Sequence, residues 1–228
     1  MRLYFDYTYI FVLIGVIISL LASMNVSATF RKYSKQRVSS GMPAQVSARQ
    51  ILESAGIYNV EIGQIRGNMT DHYSPSEKIL RLSESVYGSA SVAAIGVAAH
   101  ECGHALQDDQ GYGPLRLRSA AVPIANIGSK IAWPVILLGL VFHWMGIAQI
   151  GIGLFVFVVV FQLITLPVEF DASKRALRIL SENQMLTESE MQGARKVLTA
   201  AAMTYVAAAV TSILQLLRLI LIVNGRRR

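Results

Sequence analysis

Ala98-Ala99-His100-Glu101-Cys102-Gly103-His104-Ala105-Leu106 decides how the chain is read. The stretch holds His-Glu-x-x-His, which on a helix binds zinc and activates water. His100 and His104 stand one helical turn apart, so both imidazoles leave the same face. Two ring nitrogens can then reach one ion at about 2.0–2.1 Å each. Glu101 is rotated too far to complete a tetrahedral site with them, yet it can touch a zinc-bound water as general base. The context supports a helix. Ser91 is an N-cap candidate, and Val92 to Ala99 is an apolar run rich in alanine and glycine. The bland alternative is a buried helix that carries two hydrogen-bonded histidines. The chain has four histidines in all, however, and two of them fall at this spacing. Cys102 turns away from the shared face and reads as a small buried residue.

Working outward, both flanks read as a membrane-surface domain over residues 29–130. Val46 to Gly56 predicts a short helix, with Ser47 as cap and Gly56 as stop. Tyr58 to Ile65 and Lys78 to Ser83 alternate in polarity and predict two strands of a small hairpin. Asp71-His72-Tyr73-Ser74-Pro75 between them has turn chemistry. In zinc proteases of this type an edge strand just before the helix holds the substrate as an added strand. Downstream, Asp108-Asp109-Gln110-Gly111-Tyr112-Gly113-Pro114 breaks the helix, and Pro114 can open the next. Asp108 lies one more turn along the face of His104, so it either orients a ligand histidine or faces solvent. The longer motif His-Glu-x-x-His-x-x-Gly-x-x-His is excluded, because its last two fixed positions hold Gln107 and Gln110. The third ligand must come from further along.

Composition places this domain in a membrane protein. Of 228 residues 53% are hydrophobic and only 15% charged, against about 25% charged in soluble domains. A single cysteine excludes an internal disulfide framework. The net charge of +7 does not point to nucleic acid. The basic residues gather beside apolar segments, as membrane orientation requires, and no aromatic-basic recognition motif occurs. Tyr7 to Val26 is long and apolar enough to span a bilayer. It reads as an uncleaved anchor over residues 1–28; the rival is a signal peptide cleaved after Val26-Ser27-Ala28. Asp6 beside Arg2, and the cluster Arg31, Lys32, Lys35 and Arg37, favour the anchor, with the domain on the cytoplasmic side.

Ile131 to Leu166 is too long for one span and suits a transmembrane hairpin, split near His143-Trp144-Met145-Gly146, with a first arm that begins at Ile131 or earlier, near Ile127. A hairpin returns the chain to the side it left, so Glu169 emerges beside the domain of His100 and His104. His2Glu with water in the fourth position is a catalytic zinc arrangement. The alternative is a helix-start carboxylate that favours the helix dipole, a job Asp171 could also do. Within the segment 167–197, which holds the candidate third ligand, residues from 172 on predict a basic amphipathic helix, a polar turn at Ser181 and Asn183, and a new helix with a capping box, Thr187 to Glu190. Residues 198–228 form a last apolar helix interrupted by Arg218 and ended by three arginines. It either spans a fourth time, against the positive-inside trend, or packs on the domain without crossing. The fold class is therefore a mainly α membrane protein of three to four transmembrane helices, with a small α+β zincin-like domain built from the His-Glu-x-x-His helix and a short β-hairpin.

With His100-Glu101-x-x-His104, the downstream Glu169-Phe170-Asp171-Ala172 and flanking spans, the sequence resembles the bacterial YugP-like neutral zinc metallopeptidases. Their layout is similar to that of the HtpX and CAAX prenyl protease group. Asp71-His72-Tyr73, Leu82-Ser83, Ala98 to Gln107 and Leu166 to Ala172 carry most of the resemblance. It implies a gluzincin site with one zinc per chain on His100, His104 and Glu169, and Glu101 as base. One departure stands out. The HtpX-like pattern Glu-x-x-Ala-Asp ends here in Ser173, which would orient a histidine only weakly, with Asp171 or Asp108 as substitutes. The expected activity is hydrolysis of peptides or membrane proteins at the bilayer, with quality control as a role by analogy. His72, Tyr73 and Tyr205 are candidates for stabilising the oxyanion. A zinc scaffold without activity, or a zinc hydrolase of lipid-type amides, are the rival readings. Four-ligand structural sites often use cysteines, and only Cys102 exists.

Overall fold

The helix around His100 is Val92–Asp109, and Ser91 caps it as expected, its hydroxyl accepting the Ala94 N–H at 3.2 Å. The structure is a computed structural model that describes residues 7–225. Arg2, Asp6 and the arginines at 226–228, used above for orientation, lie outside the described residues. In chain order the elements are α1 (Tyr9–Ser34), α2 (Ala44–Ser54), β1 (Glu61–Ile65), β2 (His72–Ser74), β3 (Ile79–Ser83), α3 (Val92–Asp109), α4 (Gly113–Val141), α5 (Met145–Glu182) and α6 (Glu188–Gly225). They fall into two units, one of residues 24–116 and 167–203, the other of 7–23, 117–166 and 204–225.

The first unit is built round α3. Its small residues Ala93, Ala94, Ala98, Ala99 and Cys102 are buried among Ile51 and Leu52 of α2, Leu80 and Leu82 of β3, and Leu180 and Val197. A helix apolar on nearly every side must be enclosed on nearly every side. The sheet order is β1-β3-β2. β3 pairs parallel to β1, with Ile62 opposite Leu80, and antiparallel to β2, with Tyr73 opposite Leu80. This corrects the expected hairpin in two ways. The segment read as a turn, Asp71 to Pro75, contains strand β2, and the hairpin joins β2 to β3 rather than β1 to β3. A three-residue strand shows too little alternation to be told from a turn. α2 also begins earlier than expected. It starts after Pro43 with no side-chain cap, and Ser47 is a buried residue inside it. Gly56 ends it in the left-handed region, at φ +76°. The capping box on α6 is as expected: the Thr187 N–H donates to Glu190 Oε2 at 2.8 Å, and the Glu190 N–H to Thr187 Oγ1 at 3.4 Å.

The second unit carries the apolar stretches. α1, α4, α5 and α6 are each long and apolar enough to cross a membrane, and 11–28% of their most apolar windows is buried. So few buried residues in such apolar sequence is the pattern of helices whose outer faces suit lipid. The first arm of the expected hairpin is longer than read. α4 begins at Gly113 and runs through Pro123 and Pro134. The arms meet through small residues: a Cβ at Gly139 would overlap Ala148, and one at Gly151 would lie 2.5 Å from Ile136. His143 turns the chain between them, at φ 58°. Thr211 of α6 hydrogen-bonds the Gly15 carbonyl of α1 at 3.2 Å, and Arg218 stacks over Tyr9 at 4.4 Å. α5 does not break at Pro167, where the apolar run ends; it continues to Glu182.

Candidate metal centre

The centre depends on a close crossing of α3 and α5. A Cβ at Gly103 would overlap the carbonyl of Ala172. Only glycine lets the two backbones approach this way. The crossing sets Glu169, three residues before Ala172, against the histidine face of α3. His100 Nε2 lies 3.2 Å from Glu169 Oε2, and His104 Nε2 lies 3.7 Å from the same oxygen. The imidazoles stand edge to face, with centroids 4.8 Å apart. Glu169 is 2% exposed and His104 7%.

The outer nitrogens fix which atoms face inward. Gln107 is fully buried, and its amide nitrogen donates to the Val168 carbonyl and to Asp171 Oδ2, both at 2.8 Å. With both of its N–H groups spent, the amide must present Oε1 to His104 Nδ1, 3.0 Å away. His104 therefore carries its proton on Nδ1 and turns the Nε2 lone pair inward. Ser173 Oγ lies 3.1 Å from His100 Nδ1, where a hydroxyl can accept from or donate to the ring and steadies it in either tautomer. A ring nitrogen from each histidine and a carboxylate oxygen converge within 4.8 Å of one another. Three electron-rich atoms so close in a buried site repel unless a cation lies among them. Their types are those zinc takes.

Glu101 is buried beside this cluster. Burial pushes its carboxyl up to about 7, Glu169 and Asp71 add to the rise, and His100 and the Tyr73 backbone N–H oppose it. A group that exchanges protons near neutrality suits general acid–base work. Of the other expected site residues, Asp108 accepts from the Tyr73 hydroxyl at 2.7 Å and from Lys78 Nζ at 2.6 Å, and the partner of His104 is Gln107 instead. Asp171 reaches His104 only through Gln107, and it also takes Arg175 Nε at 2.5 Å. His72 is spent on the Thr70 carbonyl, at 2.9 Å, and on Arg81. Burial, with help from Asp108, raises the Tyr73 phenol. Tyr205 lies on α6, in the second unit.

Gln107 and Gly103 were not singled out from the sequence. Gln107 is three residues past His104 on the same face, and that spacing was its signal.

A family model described as "Putative neutral zinc metallopeptidase" matches residues 8–224. The chain is also 45% identical over 220 residues to the "Putative membrane protease YugP" of Bacillus subtilis (strain 168), covering 96% of this chain and 98% of that protein. No solved structure matches.

Proposed function

The chain belongs to the family of neutral zinc metallopeptidases, and from that membership we propose a membrane-embedded zinc endopeptidase in which His100, His104 and Glu169 hold the metal and Glu101 is the base. The observation that carries this reading is the convergence of three donor atoms within 4.8 Å beside a buried fourth carboxyl. Zinc, when bound, supplies a Lewis acid and lowers the pKa of water from 15.7 towards about 7. Glu101 takes a proton from the attacking water and returns it to the leaving amine. Gln107 keeps His104 Nε2 unprotonated and aimed at the metal, and Ser173 steadies the His100 ring.

β3 is the centre of the sheet, so only β1 and β2 offer free edges. The Tyr73 backbone, which reaches Glu101, belongs to β2. A peptide added along β2 would therefore run past the base, which supports peptide over lipid-amide substrates. Membrane-protein segments are the substrates that a peptidase with four apolar helices meets first, and turnover of such proteins is the role that follows. The basic residues concentrated in 29–116 and 168–197 favour a cytoplasmic face for the catalytic unit.

The test is zinc content and casein cleavage of the detergent-solubilised chain. Wild type should hold about one zinc per chain. Glu101→Gln should keep it and lose at least about 100-fold in rate. Glu169→Ala should lose the metal. Cleavage retained in Glu101→Gln would end the proposal.

A further inference from the structure

We propose that a basic cleft between α1 and α6 binds the phosphate headgroup of an anionic phospholipid. The cleft encloses about 410 Å³ and is lined by Asn25, Thr29 and Lys32 of α1 with Arg195, Lys196 and Thr199 of α6. All of these residues lie in the unit that carries the metal centre, and none belongs to that centre. No carboxylate lines the cleft, and its three cations form no ion pair among the described residues. Three like charges gathered round one cavity repel one another, and an anion relieves that repulsion. The hydroxyl and amide groups beside them are donors a phosphate oxygen accepts.

The position in the sequence chooses a lipid over a free anion. α1 carries no charged residue between Tyr7 and Phe30, and its first cations are Arg31 and Lys32. α6 mirrors this: Arg195 and Lys196 are its last cations before an uncharged stretch that runs to Arg218. On both helices the cleft therefore sits where the charged segment meets the apolar one, the level of headgroups in a bilayer. Basic pockets between membrane helices at that level take anionic headgroups. The cleft is also preformed. A Cβ at Gly193 would lie 2.8 Å from the Tyr33 ring, so glycine there seats Tyr33 of α1 on α6. Glu190, one turn earlier, accepts the backbone and side-chain donors of Ser39 at 2.6 Å each, which ties the chain beyond α1 to the start of α6.

Native mass spectrometry of the full chain released from detergent tests this, with phosphatidylglycerol, phosphatidylcholine and inorganic phosphate offered as separate probes. Wild type should retain one phosphatidylglycerol and no phosphatidylcholine. The triple variant Lys32→Gln, Arg195→Gln, Lys196→Gln should retain it at least about tenfold less. A control with equal charge loss elsewhere, Arg66→Gln, Arg116→Gln, Lys130→Gln, should match wild type. Equal loss in both variants, or equal retention of phosphatidylcholine, overturns the proposal. Displacement of the lipid by millimolar phosphate would make the cleft a site for free anions and overturn the lipid assignment. If the first triple variant loses zinc as well, the charge-preserving pair Lys32→Arg, Lys196→Arg decides: retained lipid supports the site, and lost lipid rejects it.

Discussion

The unit that carries the candidate metal centre and the unit of apolar helices use the same device for different ends. In each, a glycine lets one helix backbone lie against another: Gly103 under Ala172, and Gly139 against Ala148. In the membrane unit the gain is packing alone. Apolar side chains already face lipid, and small residues supply the van der Waals contact that lipid cannot replace. In the first unit the crossing brings three atoms that could hold a metal within 4.8 Å of one another. One close approach is a matter of stability, the other of chemistry. Polar burial differs in the same way. The first unit buries Glu101, His104, Gln107 and Glu169 around one point, while the buried polar side chains of the second, among the described residues, are Thr8 and Thr165.

The sharpest way to break this comparison is to fill the glycines. Gly103→Ala must push α5 away, so it should abolish zinc binding outright and lower stability by about 1–3 kcal/mol. Gly139→Ala should cost a similar amount of stability yet leave zinc per folded chain unchanged. Gly153, with nothing near its missing Cβ, should accept alanine without either effect. Zinc content and melting temperature of the three variants decide. A Gly103→Ala protein that keeps its metal would mean that the donors are not positioned by the crossing.

The next largest effect separates the units by pH. Glu101 has a folded-state value near 7 against an ordinary 4.5. Its proton is held more tightly when folded, so the metal-free protein has this contribution in full below about pH 4.5 and loses it as pH rises through 7. Full ionisation should cost about 3 kcal/mol. The melting temperature of the metal-free chain should therefore fall between pH 5 and pH 8. Glu101→Gln should remove that part of the fall, and zinc should flatten it by stabilising the carboxylate. Identical pH profiles in metal-free wild type and Glu101→Gln would refute the buried-acid description.

What the sequence disclosed divides along local and non-local lines. His100, Glu101 and His104 were legible because a helix fixes their spacing. Glu169 was legible because a membrane hairpin constrains where the chain returns, and the resemblance strengthened it. The parallel pairing of β1 with β3 was not, since a strand between them in sequence takes the outer place in the sheet. The role of Gln107 was not, since it depends on contacts of its amide with Val168 and Asp171, some sixty residues away in the chain. Gln107→Leu should weaken zinc binding about 10–100-fold by freeing the His104 ring. Asp108→Asn, on the same helical face but bonded to Tyr73 and Lys78, should leave zinc affinity nearly unchanged. Competitive chelator titration of both variants tests this, and equal losses would mean that the two outer partners are not distinguished.

The smallest effect concerns Ser173, where the HtpX-like pattern carries aspartate. The Ser173 hydroxyl, 3.1 Å from His100 Nδ1, is a neutral partner; a carboxylate would accept an Nδ1 proton as a charged one and about twice as strongly. There is room for the larger side chain, because Ser173 borders an open cleft of about 490 Å³ with Lys174 and Arg178 beside it. These cations would also limit the cost of a new negative charge. Ser173→Asp should therefore bind zinc a few-fold more tightly than wild type, and Ser173→Ala a few-fold more weakly, about 1 kcal/mol either way. The same titration reads both. If alanine and aspartate behave like serine, His100 is oriented by the crossing of α3 and α5 alone, and the weaker partner at 173 is tolerated because Gly103 has already set the geometry.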